Sequence, residues 1–345
     1  MPKKIIIDCD PGLDDAIAIL LAAGNPDVEI VAVTTVAGNH TLDKVTLNAR
    51  QVCTLAGLHD VPVAAGADRP LVRDRIIAAE IHGESGMDGP DFIAPAMEAD
   101  PRHAVDLIVE TVLTHPGEIT LVPTAPLTNI ALALRREPRI ATLVKEVVLM
   151  GGSYTRGNVT PAAEFNVHAD PEAAAIVFSA DWPVTMVGLD LTTQAAATPD
   201  LLYRIAALDT PVSRFVVDLL HRYNATVGKV HGTTATIHDA CAVGRAIDPT
   251  LMEAVEAHVE VELRGTATYG MTVTDFRGHI GPPNTLVATE LHTERLWDLL
   301  IRSLETIAAT TRTSTGPNVP QPGGERPERT TPGGTTFGGN TRGRV

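Results

Sequence analysis

Cysteine is scarce in this chain, with only Cys9, Cys53 and Cys241 among 345 residues. Being so few, so far apart and without a C-x-x-C pair, they indicate neither a disulfide framework nor a zinc site. Basic residues are outnumbered, 27 Lys and Arg against 42 Asp and Glu, giving a formal charge of −15. That balance argues against a nucleic-acid backbone or an anionic membrane as partner, because both reward Lys and Arg. A small neutral or weakly charged ligand fits better. Long apolar runs are also missing: stretches such as residues 16–23 cannot span a bilayer. The N-terminus passes directly into a strand pattern with no signal-like segment, so a cytoplasmic protein is expected. No G-x-x-x-x-G-K-[ST] occurs, which excludes a Walker phosphate loop. What is present is 44% hydrophobic residues, enough for a sizeable core, and one large α/β domain can account for most of the length.

The most informative stretch runs from Lys4 to Leu21, K-I-I-I-D-C-D-P-G-L-D-D-A-I-A-I-L-L. Ile5, Ile6 and Ile7 form a β-branched run without alternation, as expected of a central parallel strand buried on both faces. Asp8, Asp10, Asp14 and Asp15 follow around Pro11 and Gly12, and the apolar residues 16–21 read as the core face of a helix. The acids therefore sit where a strand ends and a helix begins, the place where ligands bind in open α/β sheets. One or two can be helix caps. Four together would repel unless a cation offset them. Oxygen-only ligands favour a hard ion, Ca²⁺ or Mg²⁺, over zinc. Cys9 alternates away from its neighbouring acids and reads as core.

Further strand ends carry polar residues. A strand over 28–35 finishes at Asn39, which suits either a helix cap for residues 41–58 or a ligand contact. Residues 66–101, after a short strand at 61–64, form a long loop whose Ile81-His82-Gly83-Glu84-Ser85-Gly86 suits a flap over a pocket. The strand 119–122 ends in Pro123-Thr124-Ala125-Pro126-Leu127-Thr128-Asn129, a rigid turn able to expose a backbone carbonyl, with Thr128 or Asn129 capping the next helix. Beyond Met150-Gly151-Gly152, Asp170-Pro171 reads as an N-cap with proline at the first helical position. Glu164 and Asn166, two apart in an extended loop, would face one way and suit hydroxyl recognition. A strand at 184–187 leads to Asp190, read as structural. His238-Asp239 stands at the start of a helix over 240–247. Residues 255–263 and 266–274 alternate like a hairpin, and a helix over 294–307 closes a domain of residues 1–311. Residues 312–345, nearly devoid of apolar side chains, are expected to be a disordered tail.

Assembled in order, Asp8-Cys9-Asp10-Pro11-Gly12-Leu13-Asp14-Asp15, Pro123 to Asn129, Met150-Gly151-Gly152, Glu164-Phe165-Asn166 and His238-Asp239 closely resemble the inosine-uridine preferring nucleoside hydrolases, over about residues 2–309. The resemblance implies an α/β fold with an open, mostly parallel, Rossmann-like sheet flanked by helices and an active site at the strand carboxyl ends. It implies calcium-dependent cleavage of the N-glycosidic bond of ribonucleosides, and assembly as a homodimer or homotetramer. It further implies that Asp10, Asp15, Asp239 and the carbonyl of Thr124 hold Ca²⁺, and that Asp10 is the general base toward a water held by the ion. Asp14, Asn158, Glu164 and Asn166 would bind the ribose, with Asn39 and Met150 nearby. His82, Phe165, Tyr223 and His238 would surround the base, and His238, an imidazole with a pKa near the working pH, would assist its departure. Two rivals are a Mg²⁺-dependent phosphatase of the haloacid dehalogenase type, since Asp8-Cys9-Asp10 imitates its D-x-D motif, and a non-catalytic Ca²⁺-dependent ribose or nucleoside binding protein.

Overall fold

The computed structural model describes residues 1–90 and 92–314. Nine strands are present among them: β1 (Lys3–Cys9), β2 (Val28–Thr35), β3 (Val63–Ala65), β4 (Ile119–Pro123), β5 (Glu146–Met150), β6 (Val184–Val187), β7 (Met252–Val261), β8 (Thr272–Asp275) and β9 (Thr285–Leu291). They form one sheet in the order β3-β2-β1-β4-β5-β6-β9-β7-β8. Pairing is parallel from β3 through to β9, and β7 runs antiparallel to both β9 and β8. The sheet is open and mostly parallel, as expected. The anticipated hairpin is the β7–β8 pair, but β7 begins at Met252 because its first half pairs with β9 instead.

The helices are α1 (Leu13–Ala23), α2 (Leu42–Leu55), α3 (Ala79–His82), α4 (Ala104–Thr114), α5 (Thr128–Arg136), α6 (Ile140–Leu143), α7 (Phe165–Ala169), α8 (Pro171–Phe178), α9 (Leu189–Thr192), α10 (Pro199–Ala206), α11 (Pro211–His231), α12 (Asp239–Ile247) and α13 (Thr293–Ser314). The isoleucine run explains why helices cover both sides of β1. Ile5 and Ile7 join the core made with α1, α12 and α13, whereas Ile6 faces the opposite core with α4, α5 and α8. A strand apolar on both faces is stable only when both are covered. The chain leaves β1 toward β2 and β3 on one side and resumes at β4 on the other, so the carboxyl ends of β1 and β4 flank a topological switch point.

Several local expectations are corrected. Leu127, not Thr128 or Asn129, occupies the N-cap of α5; both polar residues lie inside the helix because their side chains are recruited by tertiary contacts. Glu164 is not in an extended loop beside Asn166. It is the N-cap of α7, accepting hydrogen bonds from the amides of Asn166 and Val167. Asp170 does cap α8, with Pro171 at the first turn. The helix expected to end at 307 continues to Ser314, past the expected domain end at 311. The expected tail lies outside the described residues from 315 onward. No helix among the described residues is long and apolar enough to cross a membrane.

Candidate active site

The acid cluster is assembled by two helix starts. Asp14 and Asp15 lie in the first turn of α1 and Asp239 in the first turn of α12, and the two helices pack against each other. Helix N-termini favour negative charge, so their convergence tolerates carboxylates that would otherwise repel. Ligand oxygens of Asp14, Asp15 and Asp239 lie within 4.8 Å of one another, and all three residues are buried. Asp15 doubles as a cap, its Oδ2 accepting the Gly12 amide at 3.1 Å, while Oδ1 accepts the Thr124 hydroxyl at 2.9 Å.

Asp10 is wholly buried beside this group. Its Oδ2 accepts the Asn39 amide at 2.6 Å, and the Asn39 Nδ2 donates at 3.3 Å to both Asp10 Oδ1 and Asp15 Oδ2. Asn39 therefore ties two acids together rather than capping α2, whose N-cap is Thr41. Burial first, then repulsion from Asp15, pushes the Asp10 carboxyl well above the usual carboxylate range. Burial and Asp15 push Asp14 up to about 7. Asp239 is driven well up by burial and by Asp14, and Asp15 is raised by burial. Such an array of buried acids fits a hard cation with oxygen ligands.

Asp8 belongs to the scaffold instead. One of its oxygens accepts from Thr34 at 2.6 Å and from Asn129 at 2.8 Å, tying β1 to β2 and α5. Its other oxygen is buried without a partner, and burial raises the carboxyl to about 7. Cys9 is buried core, as read from the sequence.

Over the cluster opens a cavity of about 850 Å³. Asp14, Asn39, His82, Thr124, Met150, Asn158, Glu164, Phe165, Asn166, Tyr223, His238 and Asp239 all line it, whereas Asp10 and Asp15 lie beneath. On one side Glu164 is fixed by three backbone amides, those of Gly152, Asn166 and Val167, at 2.8–3.0 Å. The Asn166 amide nitrogen donates to the carbonyls of Thr124 (3.0 Å) and Met150 (3.2 Å). Both oxygens of Glu164 and the side-chain nitrogen of Asn166, expected to act as an acceptor and a mixed donor and acceptor, are thus engaged by backbone groups at the cavity wall. Asn158 accepts the Phe165 amide at 2.9 Å.

At the other end stand His82, Tyr223 and His238. His82 is 95% buried and lines the cavity with Ile81, from the segment expected to form a flap over a pocket. Its Nδ1 accepts the Leu13 amide at 3.3 Å, and its ring lies 6.2 Å from that of Tyr223. Burial, then repulsion from His238 and His40, lowers His82 to about 4. Burial lowers His238 to about 4 as well, although part of the ring faces the cavity. Desolvation thus favours a neutral ring, against the expected titration near the working pH.

Other lining residues escaped the sequence reading. Tyr154, Thr155 and Arg156 form one wall, with Asp190 accepting the Tyr154 amide and the Thr155 hydroxyl, so Asp190 is structural as expected but also borders the cavity. Thr233, Thr234 and Thr236 border it from the segment between α11 and α12. The run Gly232-Thr233-Thr234-Ala235-Thr236 was the available signal, its hydroxyl density having no helical or strand role.

An open parallel sheet with a deep acidic pocket at its carboxyl ends defines a small-molecule enzyme of α/β class. The family model for "Inosine-uridine preferring nucleoside hydrolase" matches residues 5–298. An inosine-uridine preferring nucleoside hydrolase from Crithidia fasciculata is 53% identical over 314 residues, covering 89% of this chain and 99% of its own length. The pyrimidine-specific ribonucleoside hydrolase RihB of Escherichia coli K12 is 44% identical over 300 residues, covering 86% and 96%. Among solved structures, a purine-preferring ribonucleoside hydrolase from Gardnerella vaginalis superposes with a TM-score of 0.84 at 31% identity, covering 89% of this chain and all of the other. The chain belongs to the inosine-uridine preferring nucleoside hydrolase family and is an enzyme of that hydrolase class. The phosphatase and the non-catalytic binding protein are thereby set aside.

Proposed function

We propose that the enzyme is a calcium-dependent hydrolase of ribonucleosides of the inosine and uridine type, releasing ribose and free base. The observation that carries this reading is the convergence of Asp14, Asp15 and Asp239 oxygens within 4.8 Å at a cavity that Glu164, Asn158 and Asn166 also line. Asp10, Asp15, Asp239 and the Thr124 carbonyl would hold Ca²⁺. When bound, the ion would offset the carboxylate charge, acidify and orient water, and engage ribose hydroxyls. Asp14, Asn158, Glu164 and Asn166 accept or share hydrogen bonds with the ribose, next to Asn39 and Met150.

In the reaction the C1′–N bond breaks and its electron pair leaves with the base. Water adds to C1′, and Asp10 takes its proton as general base. Positive charge developing on the ribose is stabilised by the neighbouring carboxylates. His82, Tyr223 and His238 at the far end, with Phe165 from the Asn158 side, enclose the base. His238 assists departure as a neutral hydrogen-bond donor, since its buried ring carries no extra proton near neutral pH. The reading includes assembly as a homodimer or homotetramer, which light scattering tests directly.

The test is release of free ribose from inosine and from uridine after dialysis against chelator, then with Ca²⁺, Mg²⁺ or Zn²⁺ restored. Activity is expected to vanish in chelator and return best with Ca²⁺. Full activity in excess chelator would overturn the metal assignment.

A further inference from the structure

The cavity's two histidines differ in how their rings are fixed. In neutral imidazole one nitrogen donates and the other accepts, and the neighbours decide which. For His82 the decision lies with the backbone: the Leu13 amide donates to Nδ1, so the ring hydrogen is on Nε2. For His238 the contact is with a side chain, 2.7 Å between Nδ1 and the hydroxyl of Thr192.

Thr192 is wholly buried at the end of α9, just beyond the carboxyl end of β6. Among the described residues its hydroxyl has no other hydrogen bond. If Nδ1 carried the ring hydrogen, Nδ1 would donate to the threonine oxygen and the buried hydroxyl hydrogen would have nowhere to go. A doubly protonated ring leaves the same orphan. If Thr192 donates, Nδ1 accepts and no buried donor is unpaired, which is the arrangement protein interiors favour. The ring hydrogen is then on Nε2. Among the described residues that nitrogen has no hydrogen-bond partner, and it is not a buried unpaired atom, so it is open to the cavity that His238 lines.

We propose that Thr192 is a positioning residue: by donating to Nδ1 it fixes His238 as the Nε2–H tautomer and aims that hydrogen at an acceptor on the departing base. The recognised feature is a keto oxygen or an unprotonated ring nitrogen, the atoms that gain electron density as the C1′–N bond breaks. The proposal rests on the nucleoside-cleaving reading given above. Without the hydroxyl the ring can flip its tautomer or rotate, and the donor is lost from the cavity.

The variants are Thr192→Val, which keeps shape and removes the hydroxyl, and Thr192→Ser, which restores it. The first readout is the two-bond ¹H–¹⁵N spectrum of histidine-labelled full-length protein, with the His238 signals identified from a His238→Gln sample. The wild type is expected to show the Nε2–H pattern, Thr192→Val to lose it and Thr192→Ser to regain it. The second is the ratio of kcat for inosine to kcat for p-nitrophenyl riboside, whose leaving group needs no donor. It should fall about tenfold in Thr192→Val, the scale of one hydrogen bond, and recover in Thr192→Ser. An Nδ1–H pattern in the wild type, or equal loss on both substrates in Thr192→Val, overturns the proposal. If no ribonucleoside is cleaved by the wild type, the nucleoside reading fails on its own, and the spectrum still decides the role of Thr192.

Discussion

At position 12 the backbone amide turns onto Asp15, while the space that a Cβ would fill is taken by the His82 ring and the Asn39 side chain. Glycine is needed there for close approach and not for its dihedral freedom. Gly12→Ala should push His82 off the Leu13 amide and lower kcat on inosine by about tenfold, the scale of a lost hydrogen bond. Unchanged steady-state kinetics in that variant would show that His82 is only a wall. Asp10→Asn removes the proton-accepting carboxylate, while its amide oxygen can still accept the Asn39 amide at the cost of the bond from Asn39 Nδ2. We expect a folded protein with a near-normal melting curve and a kcat reduced by about 100-fold or more, the contribution of a general base. Asp10→Asn with wild-type turnover would falsify the assignment.

On the scale of elements, α7 exists because Glu164 satisfies its first amides. Glu164→Ala leaves the amides of Gly152, Asn166 and Val167 without their acceptor, and the helix start carries Asn166 to the carbonyl of Thr124. The loss of stability should be about 1–3 kcal/mol by urea titration. KM should rise for every riboside, since the ribose contacts are lost whichever base is attached; an effect confined to one base would contradict this. Helix α13 tests the opposite case. Leu304 is fully buried in the core shared with α1 and α12, far from any polar role. Leu304→Ala should cost about 2–5 kcal/mol with kcat retained.

For the molecule as a whole, the buried acids and histidines set opposite pH dependences. Asp8 and Asp14 are raised to about 7, and Asp10 and Asp239 are raised well above the usual carboxylate range. Between about pH 6.5 and 8 the folded protein therefore holds protons that an unfolded chain, with carboxylates near 3.9, has released. Stability then falls as pH rises. His82 and His238, lowered to about 4 from 6.5, act the other way, but only between those two values. In chelator the melting temperature should decline from pH 6.5 to 8. Saturating Ca²⁺ should shrink that decline to the share of Asp8, which lies outside the metal site, and at a hundred times its dissociation constant should add about 2.7 kcal/mol. A melting temperature that climbs over this range in chelator would contradict the acid-cluster account.

Much of this was legible in the residues themselves. The triple isoleucine, the acids after it and the glycine and proline punctuation specify a buried parallel strand, a strand-to-helix turn and the location of the chemistry, because period and turn propensity are local properties. The tertiary structure alone decided how each polar group is used. Asp8 and Asp10 are two residues apart, yet one braces Asn129 and Thr34 while the other joins the site. Asn129 and Thr128 left the capping role for partners far along the chain. Glu164 caps α7 through the nearby amides of Asn166 and Val167, but its added bond from Gly152 comes from the other end of a loop. The neutral state of His238 and its bond to Thr192 depend on burial and on a contact 46 residues away. Desolvation and hydrogen-bond partnership are set by what surrounds a group in space, and neither spacing nor composition contains that.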